Sequence, residues 1–158
     1  MNSGAITKRY ATALLRLTQE NGSGEKVCAQ VLKMLRDSSS LPSPLEPDLG
    51  KFLSLLVRNG RAPYLKRVLR TFVDLYCEAS GLSHVILTSA VASEALEKRV
   101  VESVESSTGN KVLLETVVDP SLIGGYRVEV GGMMLDASVR RQFELLERNF
   151  IEKNNRIV

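Results

Sequence analysis

The chain has 158 residues, 44% of them hydrophobic and 25% charged, with a formal net charge of +3, four Phe, four Tyr and no Trp. That length allows one ordinary domain or two small ones with thin cores, and the composition excludes a fibrous or largely disordered protein. The charge is uneven, since residues 1–80 carry twelve Lys/Arg against seven Asp/Glu and residues 81–158 carry nine against eleven.

A mildly basic first half admits contact with nucleic acid or an anionic membrane surface, although a solvated helical surface more often produces the same balance. Cys28 and Cys77 are the only cysteines and no CxxC occurs, so buried free thiols in a reducing compartment are expected rather than a disulfide framework. Charged residues break the apolar run of "MNSGAITKRYATALLRL", so it does not read as a secretory signal. No window approaches eighteen consecutive apolar residues, and a soluble, cytoplasmic chain is expected.

The first half has helical periodicity. Ile6, Tyr10, Ala13, Leu14 and Leu17 share one helix face, and "ENGSGE" interrupts the pattern. Val27, Cys28, Val31, Leu32, Met34 and Leu35 resume it. "DSSSLPSPLEPDLG", with three prolines and four serines, reads as mainly loop. "KFLSLLVRNGR" gives a short helix closed by Asn59-Gly60. Leu65, Val68, Leu69, Phe72, Val73 and Tyr76 then form the cleanest amphipathic stripe in the chain, and Gly81 ends it.

After Gly81 the period changes, which places a domain boundary there: a helical bundle over 1–80 and a small α/β domain over 81–158. "HVILTSAV" reads as a strand, and Ser93-Glu94 opens a helix that ends near Thr108-Gly109. "KVLLETVV" is a second strand ended by Asp119-Pro120, and "YRVEV" alternates with Tyr126, Val128 and Val130 on one face. Gly131-Gly132 signals a two-residue hairpin returning through "MML". Asp136 is placed to cap a final helix with an apolar stripe of Val139, Phe143, Leu146 and Phe150.

No constellation of residues supplies chemistry. A P-loop needs GxxxxGK[ST] and a dinucleotide fingerprint GxGxxG between strand and helix; Gly124-Gly125 leads into a strand and Gly131-Gly132 joins two, so both pairs read as turns or bulges. Asp119 and Asp136 could be imagined as an acid/base pair, but each has a local job, in a turn and in a cap. His84 is the only histidine, which rules out a multi-histidine metal site, and at the head of a strand it reads as an edge or surface residue. No catalytic, metal-binding or cofactor-binding residue is expected.

Arg140, Arg141 and Arg148 share their helix with Glu144 and Glu147, a mixed surface. Arg58, Arg61, Lys66, Arg67 and Arg70 form a better basic cluster, and a small nucleic-acid-binding module over residues 58–70 is the alternative reading. The helix carrying Phe52, Leu53, Leu55, Leu56 and Val57 is apolar nearly all round, so it is either buried in the bundle or receives a partner.

Several segments together resemble the delta subunit of F-type ATP synthases, the oligomycin-sensitivity-conferring protein family. "ITKRYATALLRL" is similar to the family's "YAkAL" opening helix, "FLSLLVRNGR" to its "fl.ll.enGR", and "LTSA" at 87–90 to the start of its second domain. "VDPSLIGGYRVEVGGMMLDASVRRQFELLER" resembles "vDpsliGGf.v.igd..iDgSv...L..L", with Asp119, Pro120, Gly124, Gly125, Asp136 and Ser138 in register. Gly132 and Ala137 depart from the pattern, and residues 37–50 are shorter than the family's two extra helices, which implies a four-helix bundle.

The resemblance implies an α+β chain, an N-terminal antiparallel helical bundle followed by a small C-terminal α/β domain. The implied role is non-catalytic: a peripheral-stalk clamp holding the catalytic head to the b-type stalk subunit during ATP synthesis driven by a proton or sodium gradient. The implied partners are the N-terminal helix of the alpha subunit and the b subunit, with neither nucleic acid nor direct membrane insertion. The implied place is the cytoplasmic face of the inner membrane. By the family's pattern the alpha-subunit groove lies between the first helix and the one carrying Phe52. Tyr10, Ala13, Leu14, Leu17, Leu53, Leu56 and Val57 are the residues expected to line it.

Overall fold

The computed structural model describes residues 3–37 and 41–155. Residues 38–40 of the expected loop, the tail 156–158 and the side chain of Phe150 lie outside the described residues. The chain divides into two compact units, Met1–Leu82 and Ser83–Val158, each described by itself.

Four α-helices are described in the first unit: α1 (Ser3–Glu20), α2 (Gly24–Arg36), α3 (Pro47–Arg58) and α4 (Leu65–Ser80), the last preceded by a single 3-10 turn, Ala62–Tyr64. The stripe on α4 is the spine of the core. Val68, Leu69, Phe72, Val73 and Cys77 are all buried, and the helix packs against both α1 and α2. Ala11 and Leu14 of α1, Val27, Val31 and Leu35 of α2, and Leu49, Phe52 and Leu56 of α3 complete it. Gly81, at φ 66°, closes α4 in the left-handed conformation that glycine adopts without strain.

The proline-rich segment is shorter as a loop than its composition suggests. α3 begins at Pro47, so the final "PDLG" is its first turn. Proline suits that position, because its fixed φ is helical and its missing N–H would have had no intrahelical partner. Two side chains fasten the segment. Gln30 of α2 donates to the Pro44 carbonyl at 2.8 Å and accepts from the Glu46 N–H at 2.9 Å. Asp48 accepts from Ser23 Oγ at 2.6 Å and from Asn21 Nδ2 at 2.9 Å, tying the α1–α2 turn to the start of α3. These hydrogen bonds, Ser23's first, hold the Asp48 carboxyl below the usual carboxylate range.

In the second unit, β1 (Ser83–Ser89), β2 (Val112–Val118), β3 (Tyr126–Val130) and β4 (Met133–Asp136) form one sheet in the order β2-β1-β3-β4. β1 and β2 are parallel, joined through α5 (Glu94–Thr108), and the other two pairings are antiparallel. Val85, Leu87, Val100 and Val128 form the core, flanked by Leu96, Val104, Val112, Leu114, Tyr126 and Val130. Residues of period two on the strands thus meet residues of period 3.6 on α5. The β3–β4 hairpin turns at Gly131-Gly132, both at positive φ, which is the type I′ geometry that matches strand twist.

Two expectations need correction here. His84 is neither an edge nor a surface residue: its side chain is 7% exposed and its Nε2 lies 3.4 Å from Oε2 of the buried Glu115 on β2. A carboxylate in the neighbouring parallel strand, three residues beyond the start of β2, gives the imidazole a polar neighbour that no local pattern around His84 signals. The cap of the last helix, α6 (Val139–Asn155), is Ser138 and not Asp136. Ser138 Oγ accepts the Arg141 N–H at 3.2 Å, while Asp136 accepts the Ser138 N–H at 3.0 Å and pairs with Arg127 at 3.3 Å. Asp136 acts one step earlier, making the turn that presents Ser138.

The glycine pair at 124–125 serves the same junction. The Val139 N–H donates to the Gly124 carbonyl at 3.0 Å, and the Ala137 N–H donates to the Tyr126 carbonyl at 2.9 Å. A Cβ on Gly125, which sits at φ 76°, would collide with the Ala137 carbonyl oxygen. Close approach of backbone to backbone, more than a bulge, requires glycine here. Beyond this root, α6 is exposed from residue 140 to 149, including Phe143, Leu145 and Leu146. Of its expected stripe, Val139 is half-buried at the root, while Phe143 and Leu146 have no cover in the described residues of their own unit.

Candidate functional site

A groove of about 770 Å3 runs between α1 and α3 in the first unit. The two helices are antiparallel. Asn59, just past the end of α3, donates its Nδ2–H to the Tyr10 hydroxyl at 3.0 Å, while Asp48 at the start of α3 holds Asn21 beyond the other end of α1. One wall comes from Ile6, Tyr10 and Ala13, spaced i, i+4 and i+7; the other comes from Phe52, Leu55 and Asn59, spaced i, i+3 and i+7. These spacings each put three side chains on one helix face.

Tyr10 and Phe52 meet edge to face, with centroids 6.3 Å apart at 71°, so the two walls brace each other. Ala5, Thr12 and Ala13 keep the α1 side low, and Leu55 is 48% exposed on the α3 side. Small residues facing large ones let a further helix approach closely. Lys8, Arg9, Arg16 and Arg61 also line the groove, and no carboxylate is among its lining residues.

The seven residues expected in the groove separate into three groups. Tyr10 and Ala13 line it. Leu14 and Leu56 are fully buried and belong to the core beneath. Leu17 and Leu53 are half-buried away from the lining, and Val57 is 66% exposed on another side of α3. Sequence reasoning missed Ile6, Phe52, Leu55 and Asn59 as a set. Their spacing was legible, but a helix apolar nearly all round gives no indication of which side faces inward.

The second unit has an apolar trough of about 530 Å3 where α5 leaves the hairpin partly uncovered. Leu96, Val100 and Val104 lie on one side, and Tyr126, Val128 and Leu135 on the other. Asp119 and Asp136 have no catalytic geometry. Each accepts the backbone N–H two residues on, from Ser121 and from Ser138, and the hydroxyls of these serines, with the backbone N–H groups second, hold both carboxyls below the usual range. Burial pushes the Cys28 thiol up to about 12, with Cys77 adding to it, and the Cys77 thiol up to about 11, so both are poor nucleophiles. Among the described residues, no group of three His, Cys, Asp or Glu could hold a metal, and no helix is long and apolar enough to cross a membrane.

The sequence profile of the ATP synthase delta (OSCP) subunit matches residues 35–150. The chain belongs to the ATP synthase delta (OSCP) family. It is 32% identical to ATP synthase subunit delta of Citrifermentans bemidjiense over 93% of this chain and 97% of that one. It is 34% identical to the subunit of Anaeromyxobacter dehalogenans over 94% and 98%, and 29% identical to that of Phocaeicola vulgatus over the full length of both.

A chain in the cryo-EM structure of the Toxoplasma gondii mitochondrial ATP synthase hexamer shares the fold. Its TM-score is 0.58 at 22% identity, and the match covers 92% of this chain and 97% of that one. The profile match begins at Leu35, so of the groove's two walls it includes α3 and not α1, whereas the relatives from Citrifermentans and Phocaeicola align over nearly the whole chain. None of these relatives is named as a nucleic-acid-binding protein, and nothing supports the alternative reading of residues 58–70.

Proposed function

We propose that this delta-family chain is a non-catalytic stator subunit of an F-type ATP synthase, and that the groove between α1 and α3 receives the N-terminal helical segment of the alpha subunit. The groove carries the reading: it is open, walled by apolar side chains at helical spacing on both sides, and formed by helices of 18 and 12 residues. At 1.5 Å per residue it can take about three turns of a partner helix. Rotary synthesis puts torque on the catalytic head, and packing a helix into a preformed groove resists that torque better than exposed ion pairs, each worth about 0–1 kcal/mol.

The second unit faces the b-type stalk in this reading. Support comes from the exposed apolar residues of α6 and of the β3–β4 hairpin, Phe143, Leu146, Met133 and Leu135 among them, which need a partner to leave water. The chain itself performs no chemistry and sits peripherally on the cytoplasmic face of the membrane through its partners. The test is calorimetry of the full chain against a synthetic alpha-subunit N-terminal peptide. Saturable binding to the wild type, lost in Ala13→Trp with unchanged circular dichroism, supports the groove. A folded wild-type chain that binds no peptide overturns it.

A further inference from the structure

The groove's charge makes a demand beyond its shape. Four of its twelve lining residues are cations and none is an anion. Arg9 and Arg16 are both exposed and lie seven residues apart on α1, about 10.5 Å along the helix and on one edge of the groove. Arg61 follows the end of α3. Because α3 runs antiparallel to α1, with Asn59 bonded to Tyr10, Arg61 lies towards the Arg9 end and Arg16 marks the other end. The cations thus form an asymmetric rim around apolar walls.

We infer that the groove selects an amphipathic helix carrying carboxylates seven residues apart on the edge that meets Arg9 and Arg16, with a further carboxylate near Arg61. This rests on the groove reading above and specifies its occupant. A neutral or basic helix would fit the walls equally well but would leave the cations repelling one another or repelling the helix. The apolar walls supply most of the affinity, and the rim fixes direction and rejects wrong helices, the usual division of labour at such an interface. Asymmetry matters because a helix inserted backwards would place its extra carboxylate at the end with one cation rather than several.

The test uses the full chain, the alpha-subunit N-terminal peptide, and a second peptide with its groove-edge carboxylates changed to lysine. The wild type should bind the first at least about tenfold more tightly than the second, with the difference shrinking between about 0.05 and 0.5 M salt as charges are screened. The double variant Arg9→Glu/Arg16→Glu, altered only at exposed positions, should melt like the wild type and reverse the preference. If both peptides bind equally and the double variant leaves affinity unchanged, the charge selection is wrong while the groove stands. If neither peptide binds the folded wild type, the groove reading itself falls and the charge inference with it.

Discussion

α4 and α6 have the same kind of sequence and opposite surroundings. Each carries apolar residues at helical spacing, a fuller stripe of Val68, Leu69, Phe72 and Val73 in one and a sparser one of Phe143 and Leu146 in the other. The first is buried by α1 and α2, and the second is exposed. Periodicity reports that a face is built to leave water, but not what covers it. A core inside the chain and a seat for another chain have the same signature until the neighbouring elements are known.

Four experiments sharpen this contrast. Phe72→Ala removes a fully buried ring and should cost about 3–5 kcal/mol, read as a large fall in denaturant midpoint, whereas Phe143→Ala should shift it by less than about 0.5 kcal/mol. Equal losses at the two positions would mean that α6 is covered within the chain after all. Gly125→Ala, next in size, forces a side chain into left-handed backbone against the Ala137 carbonyl. It should cost about 1–3 kcal/mol and weaken protection from hydrogen exchange at residues 137–139.

Acid should act on the pinned carboxylates. The depressed values at Asp48, Asp119 and Asp136 stabilise the fold above the unfolded carboxylate value of about 3.9, and this contribution is lost as pH falls through the lower folded values. Thermal melts from pH 6 to pH 2 should therefore decline most steeply below about pH 4, and less steeply in Asp48→Asn. A parallel decline in the variant would show that the Asn21 and Ser23 bonds do not discriminate the charged form. The smallest effect is chemical: iodoacetamide should modify Cys28 and Cys77 at the rate of global unfolding, because buried thiols with raised values offer little thiolate at neutral pH.

Much of the fold was legible because each element carries its own local marker. Gly81 and Gly109 end helices, Ser93 starts one, and Gly131-Gly132 makes the hairpin, and all of these are choices of a few neighbouring residues. The groove was legible only in outline. Leu14 and Leu56 have the same spacing and character as Tyr10 and Leu55, and only the arrangement of α1, α3 and α4 decides which pair is core. His84 and Glu115 were illegible for a related reason. Their proximity depends on strand register across a 31-residue separation, and neither residue marks its surroundings as polar.

The junction at residues 124–139 has a mechanical consequence. A helix of 17 residues, about 25 Å long, is fixed at one end by the Val139–Gly124 and Ala137–Tyr126 hydrogen bonds, the Ser138 cap and the Arg127–Asp136 pair, and is exposed from residue 140 to 149. Such an arrangement is a cantilever. A sideways load at the tip of α6 reaches the sheet as a bending moment concentrated on a few backbone bonds. The glycines that admit those bonds therefore set the stiffness of the whole arm.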